Sequence, residues 1–270
     1  MDQERLLASI QRGIRLDLFN APADAVRELE GSVWGPLRHQ PALIEPLLSQ
    51  PVVGSWLARS AVQLSHALIE TGRWGSALTW LRLIDGWLSR PGSELDQEQL
   101  AGQHWTTGPG DSWQHGGAIP AGAERVSLRA ADLWIEAQQY LALVQRDGAT
   151  EVPVERLAHV QNVLRGRPLG RRFSPECIAR YRGVIGHDLA SLKLRRGYPP
   201  SMVLQDLDAA EAMLRAAGNT SMLAPTMLAR ASALGRLLDT EPIDRRLLNS
   251  VEHSVSDAMR QGEADPVLSI

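Results

Sequence analysis

Three stretches of this chain share one punctuation. In Arg146-Asp-Gly-Ala-Thr-Glu-Val-Pro153, Arg195-Arg-Gly-Tyr-Pro-Pro200 and Leu238-Asp-Thr-Glu-Pro242, a helical pattern stops in polar or glycine residues and restarts at proline. Proline is tolerated in a first helical turn, where its missing N–H has no partner to lose. Leucine returns four or five residues later, at Leu157, Leu204 and Leu247. The spacing predicts paired helices over 124–146 and 153–164, 174–196 and 200–217, and 221–239 and 242–261. Before them comes a pair over 52–71 and 73–89, joined at Gly72. The first fifty residues are also helical in pattern: Leu6, Leu7, Ile10, Ile14 and Leu18 form one stripe, which Asn20 and Pro22 end. A short helix carrying Ala25, Val26 and Leu29 follows, and Pro41 and Pro46 shorten or kink the next. Strand-like alternation bounded by hairpin turns is missing, so the expectation is all-α. No single pair can bury both of its faces, so pairs recurring roughly every 45–50 residues must stack on neighbours.

The best-formed pair carries a family signature. Within 61–84, Leu64, Ser65 and Leu68 are followed by Gly72, Trp74, Ala77, Leu81 and Ile84. This stretch resembles a tetratricopeptide repeat, with Ser65 in place of the usual first-helix glycine. A small Ala77 lets two antiparallel helices approach, and Trp74 fills the gap at the turn. Residues 206–219 resemble the second helix of such units in bacterial regulatory proteins. The later pairs are longer than the 34-residue unit and lack its glycine and alanine in register, so the resemblance is to a degenerate repeat. It implies one all-α domain over 1–270, a TPR-like α-solenoid or right-handed superhelix of antiparallel hairpins. Residues 1–50 would form an N-terminal cap, 52–89 the first hairpin, 90–122 a loop insertion and 124–262 three further hairpins. An irregular helical bundle with similar Leu/Ala patterning is the alternative architecture.

Several chemistries are excluded outright. Cys177 is the only cysteine, which rules out intramolecular disulfides and multi-thiolate zinc. There is no GxxxxGK[ST], strand-linked GxGxxG, GxSxG, HExxH or DDxxD, so nothing argues for an enzyme and no cofactor is expected. No apolar run reaches the ~18–20 residues of a membrane span. The N-terminus reads as an amphipathic helix instead of a signal peptide, so the expected location is the cytoplasm. Net charge is −3, which gives no whole-chain attraction to nucleic acid.

Two segments are candidates for binding. The stretch 102–117 interrupts the helical pattern with His104, Trp105, Asp111, Trp113 and His115 among glycines. The tryptophans could be anchors and the histidines polar groups over a groove, or the tryptophans could fold back on nearby helices. A metal site from His104, Asp111 and His115 is disfavoured, because a glycine-rich loop does not preorganise three ligands. The second segment, 165–196, holds nine cations against Glu176 and Asp188. Arg165, Arg167, Arg171 and Arg172 crowd its first turn, where forked guanidinium groups suit phosphate or carboxylate. The competing reading pairs these cations internally with Asp206, Asp208 and Glu211. Stacking aromatics are few, which disfavours nucleic acid. His66 and His159 read as core or capped histidines, Cys177 as structural, and His187-Asp188 as too poorly aligned for a general-base pair.

The expectation is therefore a non-catalytic protein- or peptide-binding module whose partner is acidic, contacted by the 165–172 arginines and by Trp105 and Trp113. The alternative is a small-molecule-binding protein or atypical helical enzyme whose inter-helix pocket is lidded by 102–122. The apolar end Asp265-Pro-Val-Leu-Ser-Ile270 would suit a terminal face docked in a homodimer.

Overall fold

The computed structural model describes residues 2–88, 103–106, 112–115, 125–127, 130–148, 150–166, 173–240, 249–250, 252–253, 255–257 and 259–260. The architecture is helical, and no helix among these residues is long and apolar enough to cross a membrane. The chain divides into two compact units, Met1–Asp147 and Gly148–Ile270.

The first unit opens with α1 (Gln3–Leu18), capped by Asp2, whose carboxylate accepts from the Glu4 N–H. Asn20, at φ 59°, takes the left-handed conformation that ends it. Then come α2 (Pro22–Glu28), a π-helical segment (Leu29–Trp34) and α3 (Gly35–His39). Pro41 opens a single 3₁₀ turn (Pro41–Leu43) ahead of α4 (Ile44–Leu48), the shortening that two prolines imply. The remaining helices are α5 (Pro51–Glu70), α6 (Trp74–Leu88) and α7 (Ala130–Val144).

α5 organises this unit. Every residue from Val53 to Ser65 is buried, because α1, α2, α4, α6 and α7 all contact this helix. A helix enclosed on all sides is a core element, not one face of an open array. Around it Trp56, Leu57, Leu64 and Leu68 are fully buried. Trp34 donates its indole N–H to Ser60 Oγ at 3.1 Å, and its ring lies 4.7 Å from that of Trp80. The α5–α6 hairpin turns at Gly72, φ 76°, with Ala77 fully buried and Ser65 Oγ 3.5 Å from its carbonyl oxygen.

The interval expected to be a loop contains β1 (Gln103–Thr106) and β2 (Ser112–His115), which form a small antiparallel sheet with β3 (Arg125–Ser127) in the order β2-β1-β3. The helix expected from 124 therefore begins at Ala130, with a strand in place of its first residues.

The second unit contains α8 (Val152–Arg165), α9 (Pro175–Arg195), α10 (Pro200–Ala216) and α11 (Leu223–Thr240). Ser174 caps α9 by accepting from the Cys177 N–H at 3.2 Å, and Pro175 occupies its first position. α8 packs on α9, α9 on α10 and α10 on α11. Gly183 explains the close α9–α10 approach: a Cβ there would lie 2.6 Å from Leu214 Cγ. The described residues from 249 to 260 are helical, as expected of the last helix, while the 241–248 turn and the apolar 265–270 end lie outside the described residues. The pair expected over 124–146 and 153–164 is divided between the units, with α7 in the first and α8 in the second.

Candidate functional site

The buried α5 carries Arg59, Gln63 and His66 at spacings of four and three, along one side of the helix. Enclosure obliges these groups to find partners. Arg59 donates to Glu136 Oε2 of α7 at 2.7 Å and to Gln63 Oε1 at 2.8 Å. Gln63 in turn donates to Asp17 Oδ2 of α1, and His66 Nδ1 lies 2.8 Å from the same oxygen. Glu70 stands 4.0 Å from His66 Nε2, and the Tyr140 ring 5.5 Å from the imidazole. The result is a polar seam joining α1, α5 and α7. Burial and the neighbouring Glu136 push the Tyr140 phenol well above its ordinary range. His66 is the core-side histidine expected from the sequence, whereas His159 is exposed on α8.

The hydrogen bond to Asp17 raises the His66 pKa above its ordinary 6.5, against a smaller opposing effect of burial. Folding thus favours the imidazolium. Its stabilisation is complete below the unfolded value and is lost as pH rises through the folded one. Thermal unfolding of the native protein and of His66→Gln between pH 5.5 and 8.5 tests this. The native advantage should be largest at the acid end and shrink toward pH 8.5; a constant difference would show that folding leaves the His66 pKa unchanged.

The second unit holds a different arrangement. One face each of α8, α9 and α10 converges on a cleft of about 200 Å³. α8 contributes Ala158, Gln161, Asn162 and Arg165, while Arg182, Gly186, Leu189 and Lys193 come from α9 and Asp206, Ala210 and Met213 from α10. These positions recur at three and four residues, so each helix offers a single stripe. The floor is small and apolar, because Gly186 and Ala210 leave space where larger side chains would meet. Gln161 closes one end by donating from Nε2 to the Arg182 carbonyl at 2.7 Å. Lys193, the chain's single lysine, donates to Asp206 Oδ2 at 2.7 Å. Among the described residues Arg165 and Arg182 have no carboxylate partner, and Arg182 Nε is buried without a hydrogen bond. Three cations thus face one carboxylate.

A wider hollow of about 390 Å³ lies beside α10 and α11, lined by Asp208, Glu211, Arg215, Arg230, His253 and Asp257. Its arginines are paired, Arg230 with Asp208 at 2.7 Å and Arg215 with Glu211 at 2.5 Å, and His253 Nε2 lies 3.1 Å from Asp257 Oδ2. It therefore offers little net charge to a ligand.

Of the arginines expected at the partner contact, Arg165 lines the cleft, whereas Arg167, Arg171 and Arg172 lie outside the described residues. In the hairpin, Trp105 on β1 pairs in register with Trp113 on β2, and Gln103 with His115, while His104 faces Gln114. Asp111 lies outside the described residues. Of the acids named for internal pairing, Asp206 meets the block, whereas Asp208 pairs with Arg230 and Glu211 with Arg215, both outside it. Lys193 meets Asp206, Arg196 reaches Glu151 at 3.4 Å and the Gly148 carbonyl at 3.0 Å, and Arg180 lies over the Tyr181 ring. His187 Nδ1 lies 3.2 Å from Thr226 Oγ1, and burial lowers its pKa. Sequence reasoning passed over Gln161 and Asn162, which become polar walls only once α8 lies beside α9. Among the described residues no group of three or more His, Cys, Asp or Glu is placed to hold a metal ion. No protein-family model, curated protein or solved structure matches this chain.

Proposed function

We propose that this chain is a helical interaction module, and that the cleft of its second unit takes an acidic group from a partner protein or peptide. The carrying observation is the charge imbalance in one small enclosure: Arg165 and Arg182 stand without carboxylate partners beside the Lys193–Asp206 pair. Arg182 and Lys193 are half-buried on the rigid α9 and are preorganised for an anion, since little of their side-chain entropy remains to be lost, while Arg165 stands exposed at the end of α8 beside them. The volume favours a presented side chain, because pockets for drug-sized ligands are about 300–1,000 Å³. The tetratricopeptide-like stretch 61–84 bears only on the helical-module part of this reading, with Leu64, Leu68, Ala77, Leu81 and Ile84 buried in the α5–α6 hairpin of the first unit.

The test is fluorescence anisotropy with labelled acidic decapeptides and their Gln/Asn counterparts. The acidic peptides should bind preferentially and lose affinity with added salt. Arg165→Gln with Arg182→Gln should weaken them about tenfold or more while leaving the circular dichroism melt in place, given ~1.5–3 kcal/mol for a hydrogen bond to a charged group. Equal binding of acidic and neutral peptides would sink the proposal.

A further inference from the structure

The cleft's charge and donor geometry define its anion more narrowly. With Asp206 neutralising one of the three cations, two positive charges remain. A carboxylate would leave one of them uncompensated, whereas a phosphate monoester carries about −1.5 to −2 at pH 7. The donors point the same way. Arg165 and Arg182 come from different helices and offer two guanidinium forks. A carboxylate has two oxygens and satisfies one fork; a phosphate monoester has three terminal oxygens and can be shared between two. The exposed amide of Asn162 is a further donor in the same lining. The volume of about 200 Å³ matches a phosphorylated head, the rest of whose molecule would lie outside the cleft.

We infer that the cleft formed by Arg165, Arg182, Lys193 and Asn162 is a phosphomonoester site, selective for a phosphorylated hydroxyl over a carboxylate. This rests on the proposed acidic-partner function and specifies its ligand. Two sources supply that chemistry: a phosphoserine or phosphothreonine presented by a partner, or a free small phosphomonoester. Asp206 is the selectivity element, since it holds Lys193 aside and sets the net charge at two.

The experiment uses the full chain with one peptide sequence carrying Ser, Glu or phosphoserine at its centre, together with free O-phosphoserine. The phosphoserine peptide should bind at least about tenfold tighter than the Glu peptide, and the Ser peptide should not bind measurably. Arg165→Gln, on an exposed position at the end of α8, should abolish that preference without lowering the melting temperature. Arg182→Gln provides a second variant from the other helix. A peptide advantage over free O-phosphoserine assigns the site to a presented side chain; equal affinities assign it to a free phosphomonoester, and both support the inference. Glu binding as tightly as phosphoserine overturns it while leaving the acidic-partner function standing. Failure of every anion overturns both.

Discussion

Replacing Arg59 by methionine should lower the unfolding free energy by about 3–5 kcal/mol, as expected when one member of a buried ion pair is removed. The side chain is 10% exposed and its partner Glu136 is 23% exposed, so water cannot readily replace the lost guanidinium. Methionine preserves much of the aliphatic stem, which separates the electrostatic effect from a packing defect. The variant leaves Glu136 without this cation and Gln63 Oε1 without its donor. Urea denaturation checks the result, provided the m-value is unchanged. The double variant Arg59→Met with Glu136→Leu should recover most of the loss, since a buried pair exchanged for well-packed apolar groups is often neutral or stabilising. If the double variant is as unstable as the single, Arg59 acts through packing alone and the seam is not an electrostatic link between α5 and α7.

That seam also marks where the sequence becomes uninformative. Local signals recorded helix ends well: Ser174-Pro175 opens α9, Pro200 opens α10, Gly72 separates α5 from α6, and Asn20 ends α1. Each reflects backbone chemistry within a few residues, such as a missing N–H, a left-handed φ or a side-chain cap. The environment of α5 is different. Arg59 and Gln63, at i and i+4, have the pattern of a solvated face, yet their partners Glu136 and Asp17 are 77 and 46 residues away. No local window contains the information that α1 and α7 cover this side. The same limit applies to 146–153, where the turn chemistry is correct but does not specify that α7 belongs to the first unit and α8 to the second.

The cleft was legible in composition and hidden in geometry. The excess of cations over 165–196 directs attention to an anionic partner, but it cannot separate Arg196, committed to Glu151 and backbone carbonyls, from Arg182 with an unbonded Nε. Asp206 was a foreseeable partner for the block; its pairing with Lys193 followed only once α10 lay against α9. Of the turn at 165–172, Arg165 lines the cleft and Arg167, Arg171 and Arg172 lie outside the described residues, while helical spacing brings Arg182 and Lys193 to the same cleft.

The close approach of α4 to α5 leads to a second large effect. Gly54→Ala should destabilise the protein by about 3 kcal/mol, at the upper end of ordinary overpacking. A Cβ at residue 54 would lie 2.0 Å from the Leu48 carbonyl oxygen and 2.8 Å from its carbonyl carbon. The obstacle is backbone, so no rotamer change relieves it; α4 must move, disturbing fully packed Leu48 at the entrance to the core. Helix propensity alone predicts the opposite sign, since alanine exceeds glycine by about 0.8–1 kcal/mol in a helix interior. Gly235→Ala in α11 is the control, because a Cβ there meets nothing within 4 Å. That substitution should stabilise the chain by about 0.5–1 kcal/mol. Opposite shifts in the two denaturation midpoints would locate the constraint in the α4–α5 contact. A neutral Gly54→Ala would mean that α4 can withdraw from α5 at little cost, and that the core closes without it.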